Sequence, residues 1–443
     1  MAVERSMAKR PNWSSGFAFI MATLGSAVGL GNIWRFPYVM GQNGGALFLL
    51  MYILLTIFIC SVPLLCELLL GKQMRRGVIR SYEKINKKFS IFGWLCFATS
   101  IFIPCFYFVV GGWTVNYIFI YLFGTIPVNE ISQATFDTFA AQPVAPLIMG
   151  IIFLFLCAIF PFRGVNKGIE QANNIIMPLF IIMLFFLAVT GLFLDNSIEG
   201  LKFMFQPNVE NFTFKTVLTA LGQALFTLSV GMGCLVTYGS YLKKDSDIIK
   251  SSTLLIIGNT IIAVLAGIMI FPAVFSFNLE PSAGAGLVFI TLPKVFAALP
   301  FGQFFGLMFF VLLFFAALTS GISLLEVSIA AILEKFKISR KIATVIMSSI
   351  ILIFMVPTTW SFGPLAGYKL FNMTFFEIMD FTASNILLPL NTIILCVVVG
   401  WILKPKMELL TNNKKFYDVF TFLLKFIVPP VLILLMLFGL GLV

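Results

Sequence analysis

Long apolar runs, separated by short polar and basic segments, repeat along the whole chain. A helix crossing a bilayer needs about 20 mainly apolar residues. Runs of that kind fall at 14–38, 46–71, 91–123, 145–161, 171–194, 216–242, 248–276, 301–333, 341–357, 377–402 and 416–441, about eleven spans. Helices are expected throughout, because a chain in lipid must satisfy its own peptide groups. The weak alternation of a barrel strand is nowhere visible. The pattern predicts an all-α polytopic membrane protein.

Two of these runs do not read as continuous rods. The first contains Gly25-Ser26-Ala27-Val28-Gly29-Leu30-Gly31-Asn32, and the sixth Ser229-Val230-Gly231-Met232-Gly233. As first and sixth, they hold matching places in two sets of five spans, and an odd repeat length inverts one set relative to the other. Interrupted helices in corresponding positions point to a binding site near the bilayer midplane. The blander reading is glycine for close helix packing. The pairing, with Asn32, Thr227 and Ser229 beside the breaks, favours broken helices.

Composition narrows the class. Of the 443 residues 60% are hydrophobic and 11% charged, whereas soluble domains are about a quarter charged. A water-soluble enzyme is excluded on that contrast. The net charge of +11 would suggest nucleic acid on a soluble chain, but here the basic residues sit in short loops and set orientation. Arg5, Lys9 and Arg10 precede the first span. Lys72, Arg75, Arg76, Arg80, Lys84, Lys87 and Lys88 follow the second, and Arg163 and Lys167 the fourth. Lys243, Lys244 and Lys250 follow the sixth. Lys335, Lys337, Arg340 and Lys341 follow the eighth, and Lys404, Lys406, Lys414 and Lys415 the tenth. The opposite loops hold Lys202, Lys215, Lys294 and Lys369. The positive-inside rule then places the N-terminus in the cytoplasm, and the odd span count places Val443 outside, in a plasma (cytoplasmic) membrane. Lys9 and Arg10 before the run 16–24, with Ser26 and Ala27 after it, weakly imitate a signal peptide; the many later spans argue for a retained helix.

The chain has no histidine, which removes imidazole metal sites and histidine proton relays. Its seven cysteines, Cys60, Cys66, Cys96, Cys105, Cys157, Cys234 and Cys396, lie inside apolar runs without a C-x-x-C pair. They are expected as small core residues.

Gly25 through Asn32, continued by Ile33-Trp34-Arg35-Phe36-Pro37-Tyr38, resembles the signature of the neurotransmitter:sodium symporter family. Asn43-Gly44-Gly45-Ala46, Gly222 through Ser229, Asn259, Phe315-Ala316-Ala317-Leu318-Thr319-Ser320 and Asp380 extend the resemblance over ten spans. It implies a 5+5 inverted repeat with helices 1 and 6 broken, as in the eleven-helix bacterial leucine and tyrosine/tryptophan transporters. The expected parts are a segment 1–13, a first repeat 14–194, a second repeat 195–402, and a loop with the eleventh helix at 403–443. Inversion is a property of the family and enters by resemblance.

The same resemblance implies sodium-coupled uptake of an amino acid by alternating access, with no catalytic residues and two sodium sites. The first would use the Ala27 carbonyl, Asn32, Thr227, Asn259 and the substrate carboxylate. The second would use the carbonyls of Gly25, Val28 and Ala316 with the hydroxyls of Thr319 and Ser320. Without the family, Thr319 and Ser320 would be read as bonding back to their own helix, and Asn259 as glue between helices. Relatives that move amines carry Asp where this chain has Gly29, so the substrate is expected to bring its own carboxylate. That group would meet the Leu30 and Gly31 amides and Tyr107; the amine would meet carbonyls of Ala27, Phe226 and Thr227, with Ser229 nearby. Ile103, Tyr107, Phe226, Ser229, Met232, Ser320, Ser323 and Leu324 would surround the side chain. The pliable Met232, with the Ser323 hydroxyl, suggests a larger, aromatic side chain such as tyrosine or tryptophan.

Arg35 and Asp380 are costly intramembrane charges and match the family's outer gate, with Phe226 and Tyr107 over the substrate. Arg10, Trp13, Tyr241 and Glu334 match the inner gate, although Arg10 and Glu334 read as solvated and a surface pair contributes little. Glu67 matches a position near the broken helices; Glu326 has no assignment. For chloride, Tyr52 and Gln223 match part of the family's site, but Ala263 is neither the serine nor the acid of its relatives. An ion channel would need a continuous polar pore or filter, and a membrane enzyme a convergent acid, base or metal cluster; neither is visible. A non-transporting sensor on the same scaffold is the remaining rival, and the sodium ligands argue against it. The sequence leaves homodimerisation open.

Overall fold

A computed structural model describes residues 10–209, 212–279, 287–404 and 413–442. Arg5, Lys9, Lys406 and Val443 therefore lie outside the described residues. Nine described helices are long and apolar enough to span a bilayer: Ala46–Met74, Lys87–Phe123, Ala145–Arg163, Val165–Leu192, Ile248–Ser276, Gly302–Phe336, Arg340–Trp360, Phe375–Leu403 and Lys414–Gly439. A tenth span is the pair Gly16–Ala27 and Gly31–Gln42, bent by 50°. Between Ala145–Arg163 and its neighbours no run is missing; the sixth place in chain order is taken by Phe214–Thr227 and Cys234–Gly239, with residues 228–233 unwound between them. Counting each broken rod once reproduces the expected order.

Both breaks have a local cause. The first helix stops where Val28 turns extended (φ −86°, ψ 97°). In the sixth, Ser229, Gly231 and Gly233 all have positive φ. Gly231 is required twice over. Its φ is +83°, and a Cβ there would stand 2.6 Å from the Leu388 carbonyl oxygen and 2.7 Å from Thr392 Oγ1.

The third span (Lys87–Phe123) and the eighth (Gly302–Phe336) form the centre: the apolar windows of these two are 78% and 72% buried, against 33% for the fourth, fifth and eleventh. They pack on one another, and the broken first span packs against the eighth, fifth and seventh. Outer rings and aliphatic chains such as Phe155, Ile182, Phe185, Ile353 and Phe426 are exposed, as helices facing acyl chains require.

Four segments read as loops are helical: Val78–Ile85, Gln133–Ala141, Ser197–Phe205 and Leu287–Ala298. Val78–Ile85 buries Val78, Ile79 and Tyr82 and keeps Lys84 outward. Lys167, expected in a loop, lies on the wide first turns Val165–Glu170 of the fifth span. All seven cysteines are buried and unbridged.

Candidate functional site

A helix leaves its last carbonyls and first amides without partners inside the helix. At the first break the carbonyls of Gly25, Ser26 and Ala27 come to such an end, and the amides from Leu30 onward begin the next one. Hydroxyls from neighbouring spans meet them. Ser320 Oγ donates to the Gly25 and Ser26 oxygens (both 3.1 Å), and Ser229 Oγ donates to the Ser26 oxygen (2.9 Å). The Leu30 amide donates to the Tyr107 hydroxyl (3.2 Å). The two breaks thus join each other and spans three and eight.

A small cavity of about 20 Å³ lies at this junction, lined by Ser26, Ala27, Gly29, Gly31, Ile103, Tyr107, Phe226, Ser229, Met232, Ser320 and Leu324. Leu30, Thr227 and Ser323 do not line it. Ser323 is turned to Ser26 Oγ (2.9 Å) and the Ser320 carbonyl (2.8 Å). Gly29 is closed in: a Cβ there would lie 2.4 Å from Ser320 Oγ and 2.7 Å from the Tyr107 hydroxyl.

Beside the cavity runs a buried polar chain. Asn32 Nδ2 donates to Asn259 Oδ1 (3.0 Å), Asn259 Nδ2 donates to the Tyr52 hydroxyl (3.0 Å), and that hydroxyl pairs with Thr227 Oγ1 (2.9 Å). Gln223 Nε2 donates to the Gly31 carbonyl (2.8 Å). Asn32 Oδ1 and Gln223 Oε1 are buried without a donor. Unsatisfied buried oxygens call for an explanation, and oxygen without a proton donor is what a hard cation seeks. Ala263, fully buried, adds neither oxygen nor charge. On the other side, Thr319 Oγ1 bonds back to the Phe315 carbonyl (3.0 Å) and the Ala316 carbonyl (3.2 Å). This is the intrahelical pattern expected of a threonine without the family. Its Cβ nevertheless stands 3.1 Å from where a Gly25 side chain would begin, so spans one and eight touch there.

Toward one membrane face a second cavity of about 30 Å³ is lined by Leu30, Trp34, Arg35, Tyr38, Phe106, Tyr107, Val110, Phe226, Phe376 and Asp380. Tyr107 and Phe226 line both cavities. The Arg35 guanidinium lies 4.7 Å over the Phe226 ring, and Asp380 Oδ1 accepts from Ser384 Oγ (2.8 Å). Arg35 and Asp380 face the same cavity without an ion pair among the described contacts.

At the opposite face the N-terminal segment is pinned. Arg10 pairs with Glu334, their side chains 11% and 10% exposed, so the reading of these two as solvated is corrected: Ser240 and Tyr241, just past the sixth helix, and the Gly77 amide close around them. Burial lowers the Arg10 pKa from its ordinary value, and the pull of Tyr241 and Glu326 opposes that. The guanidinium lies 4.6 Å over the Tyr241 ring and its Nε donates to Ser240 Oγ (3.1 Å). Trp13 Nε1 donates to the Tyr238 carbonyl and the Trp13 amide to the Tyr241 carbonyl (both 3.0 Å).

Sequence reasoning left Glu326 unassigned. It is fully buried, accepting from the Tyr241 hydroxyl (2.5 Å) and from Arg340 Nη1 (2.6 Å). Glu67 Oε1 accepts from the Gly231 amide (2.8 Å), while Asn391 Nδ2 donates to the Gly231 carbonyl (2.9 Å) and to Thr99 Oγ1 (2.8 Å). The unwound sixth segment is therefore held from both edges of one residue. Asn391 was missed; its signal was a lone amide inside an apolar run.

Comparison with known proteins agrees with this arrangement. Residues 10–141 and 142–441 match the model of the sodium:neurotransmitter symporter family. An uncharacterized sodium-dependent transporter of Bacillus subtilis, YhdH, is 37% identical, covering 97% of each chain. One of Haemophilus influenzae is 33% identical over 96% of this chain and 97% of its own. The crystal structure of MhsT in complex with L-phenylalanine superposes with a TM-score of 0.89 at 38% identity, covering 97% of this chain and 100% of the other. The chain shares that protein's fold, including its inverted five-plus-five topology. With helices one and six broken at matching places around a shared polar junction, the chain belongs to the sodium:neurotransmitter symporter family.

Proposed function

We propose that the protein carries a large hydrophobic or aromatic amino acid across the membrane together with sodium, by alternating access. The observation that carries this reading is the junction itself: peptide groups freed at two breaks, an enclosed Gly29 that leaves no protein carboxylate there, and a cavity whose lining includes Ile103, Phe226, Met232 and Leu324. Similarity to MhsT, whose structure holds L-phenylalanine, supports an aromatic substrate.

In this reading the substrate carboxylate meets the amides of Leu30 and Gly31 and the Tyr107 hydroxyl. It also completes a first sodium site made by Ala27, Asn32, Thr227 and Asn259, so ion and substrate favour each other's binding. A second sodium lies among Gly25, Val28, Ala316, Thr319 and Ser320. The Arg10–Trp13–Glu334 face is cytoplasmic, and the Arg35–Asp380 face external. The repeats 14–194 and 195–402 rock about the site, with helix eleven outside them.

Uptake of labelled phenylalanine, tyrosine, tryptophan and leucine into proteoliposomes, with and without an inward sodium gradient, tests this. Sodium-driven accumulation with the aromatics competing best is the expected result. Flux indifferent to sodium for every amino acid would refute it.

A further inference from the structure

Asn173 lies on the fifth span, about 12 Å along from its start at Val165, and is fully buried. Its Nδ2 donates to the Ile169 carbonyl of its own helix at 2.8 Å. A carbonyl only accepts, so this contact fixes which edge of the amide is nitrogen and which is oxygen. The oxygen edge faces away from the helix and has no donor. It is directed at the first break: a Cβ on Gly25 would stand 2.0 Å from Asn173 Oδ1 and 3.1 Å from Thr319 Cβ. The missing side chain of Gly25 is what admits the amide oxygen.

Three spans therefore converge on one point. Gly25 belongs to the first, Thr319 to the eighth, and Asn173 to the fifth. Gly25 and Thr319 are members of the second sodium site as proposed above. An amide oxygen, buried and without a proton donor, is a good ligand for a hard cation and a poor neighbour for anything else in a dry interior. The competing account is that Oδ1 merely rests against the Gly25 Cα–H, a weak contact that holds two helices together.

We propose that Asn173 Oδ1 is an oxygen ligand of the second sodium site, so that the ion ties the fifth span to the first and eighth. This rests on the transport reading above. It makes the fifth span a sensor of the ion: sodium departure releases three spans from one another.

The test uses the full-length purified protein, titrated with sodium alone and with lithium alone while intrinsic tryptophan fluorescence is recorded, with sodium-22 binding measured in the sodium series. Asn173→Leu keeps the volume and removes the oxygen. It should raise the sodium midpoint about tenfold, the worth of one charge-assisted contact. It should also alter the lithium-to-sodium ratio, which a packing role would leave unchanged. Asn173→Asp keeps an oxygen and adds charge, and should bind sodium at least as tightly as the parent.

A folded Asn173→Leu protein with the parent's sodium midpoint overturns the proposal. If that variant does not fold, a folded Asn173→Asp protein with weakened sodium binding overturns it instead. A parent protein unresponsive to sodium defeats the transport reading itself; a responsive parent matched by its variants defeats only the role of Asn173.

Discussion

Single side chains decide the chemistry of the junction. Asn259 sits at the middle of the buried amide–hydroxyl chain, bonded to Asn32 on one side and Tyr52 on the other. Asn259→Ala should raise the sodium needed for half-maximal phenylalanine binding by about tenfold or more, measured by scintillation proximity with labelled ligand. Met232 lines the cavity that the substrate would enter. Met232→Phe replaces a pliable chain by a rigid ring and should shift competition from tryptophan toward leucine by about tenfold. Asn259 was legible in the sequence because it belongs to the family's own motifs, and Met232 because it stands three residues past one of them. Glu326 was not: its partners, Tyr241 and Arg340, come from other spans and no local pattern announces them. The same holds for Arg10 and Glu334. Their position beside loops suggested water, and only their contacts with Ser240, Tyr241 and Gly77, distant in sequence, remove it.

At the scale of elements, the breaks were readable and the loop helices were not. Gly231 illustrates the first. Glycine clusters signal a backbone that side chains would obstruct, and a left-handed conformation beside a carbonyl is such a place. Gly231→Ala should cost about 2 kcal/mol or more, from the left-handed backbone and the forced contact with Leu388. A lowered thermal denaturation midpoint in detergent would show it. Asn391→Ala removes one of the two grips on the same residue; it should weaken phenylalanine binding while the protein stays folded, and unchanged binding would mean that Glu67 alone holds the segment. The helices at 78–85, 133–141, 197–205 and 287–298 escaped because each is too short to span lipid. A length rule for membrane crossing has no power over them.

For the molecule as a whole, the asymmetry between its two faces matters most. On one face Arg10, Trp13, Tyr238, Tyr241 and Glu334 interlock; on the other, Arg35 and Asp380 border a cavity without an ion pair between them. The tied face holds the end of the first span in place. Arg10→Ala leaves the enclosed Glu334 without its cation, which should favour the form open on that face by about tenfold or more. Faster amide hydrogen exchange across 16–27 would report it, together with reduced uptake. Exchange equal to the parent's would mean that Trp13 suffices.

Tyr107 and Phe226 belong to both chambers at once. The partition between the two rooms is therefore also the ceiling of the lower one. A passenger too small leaves those rings unsupported, and one too bulky props them apart. Discrimination among cargoes would then be exercised as the compartment shuts, and a poor fit would appear as leakage back to the side of origin more than as failure to dock.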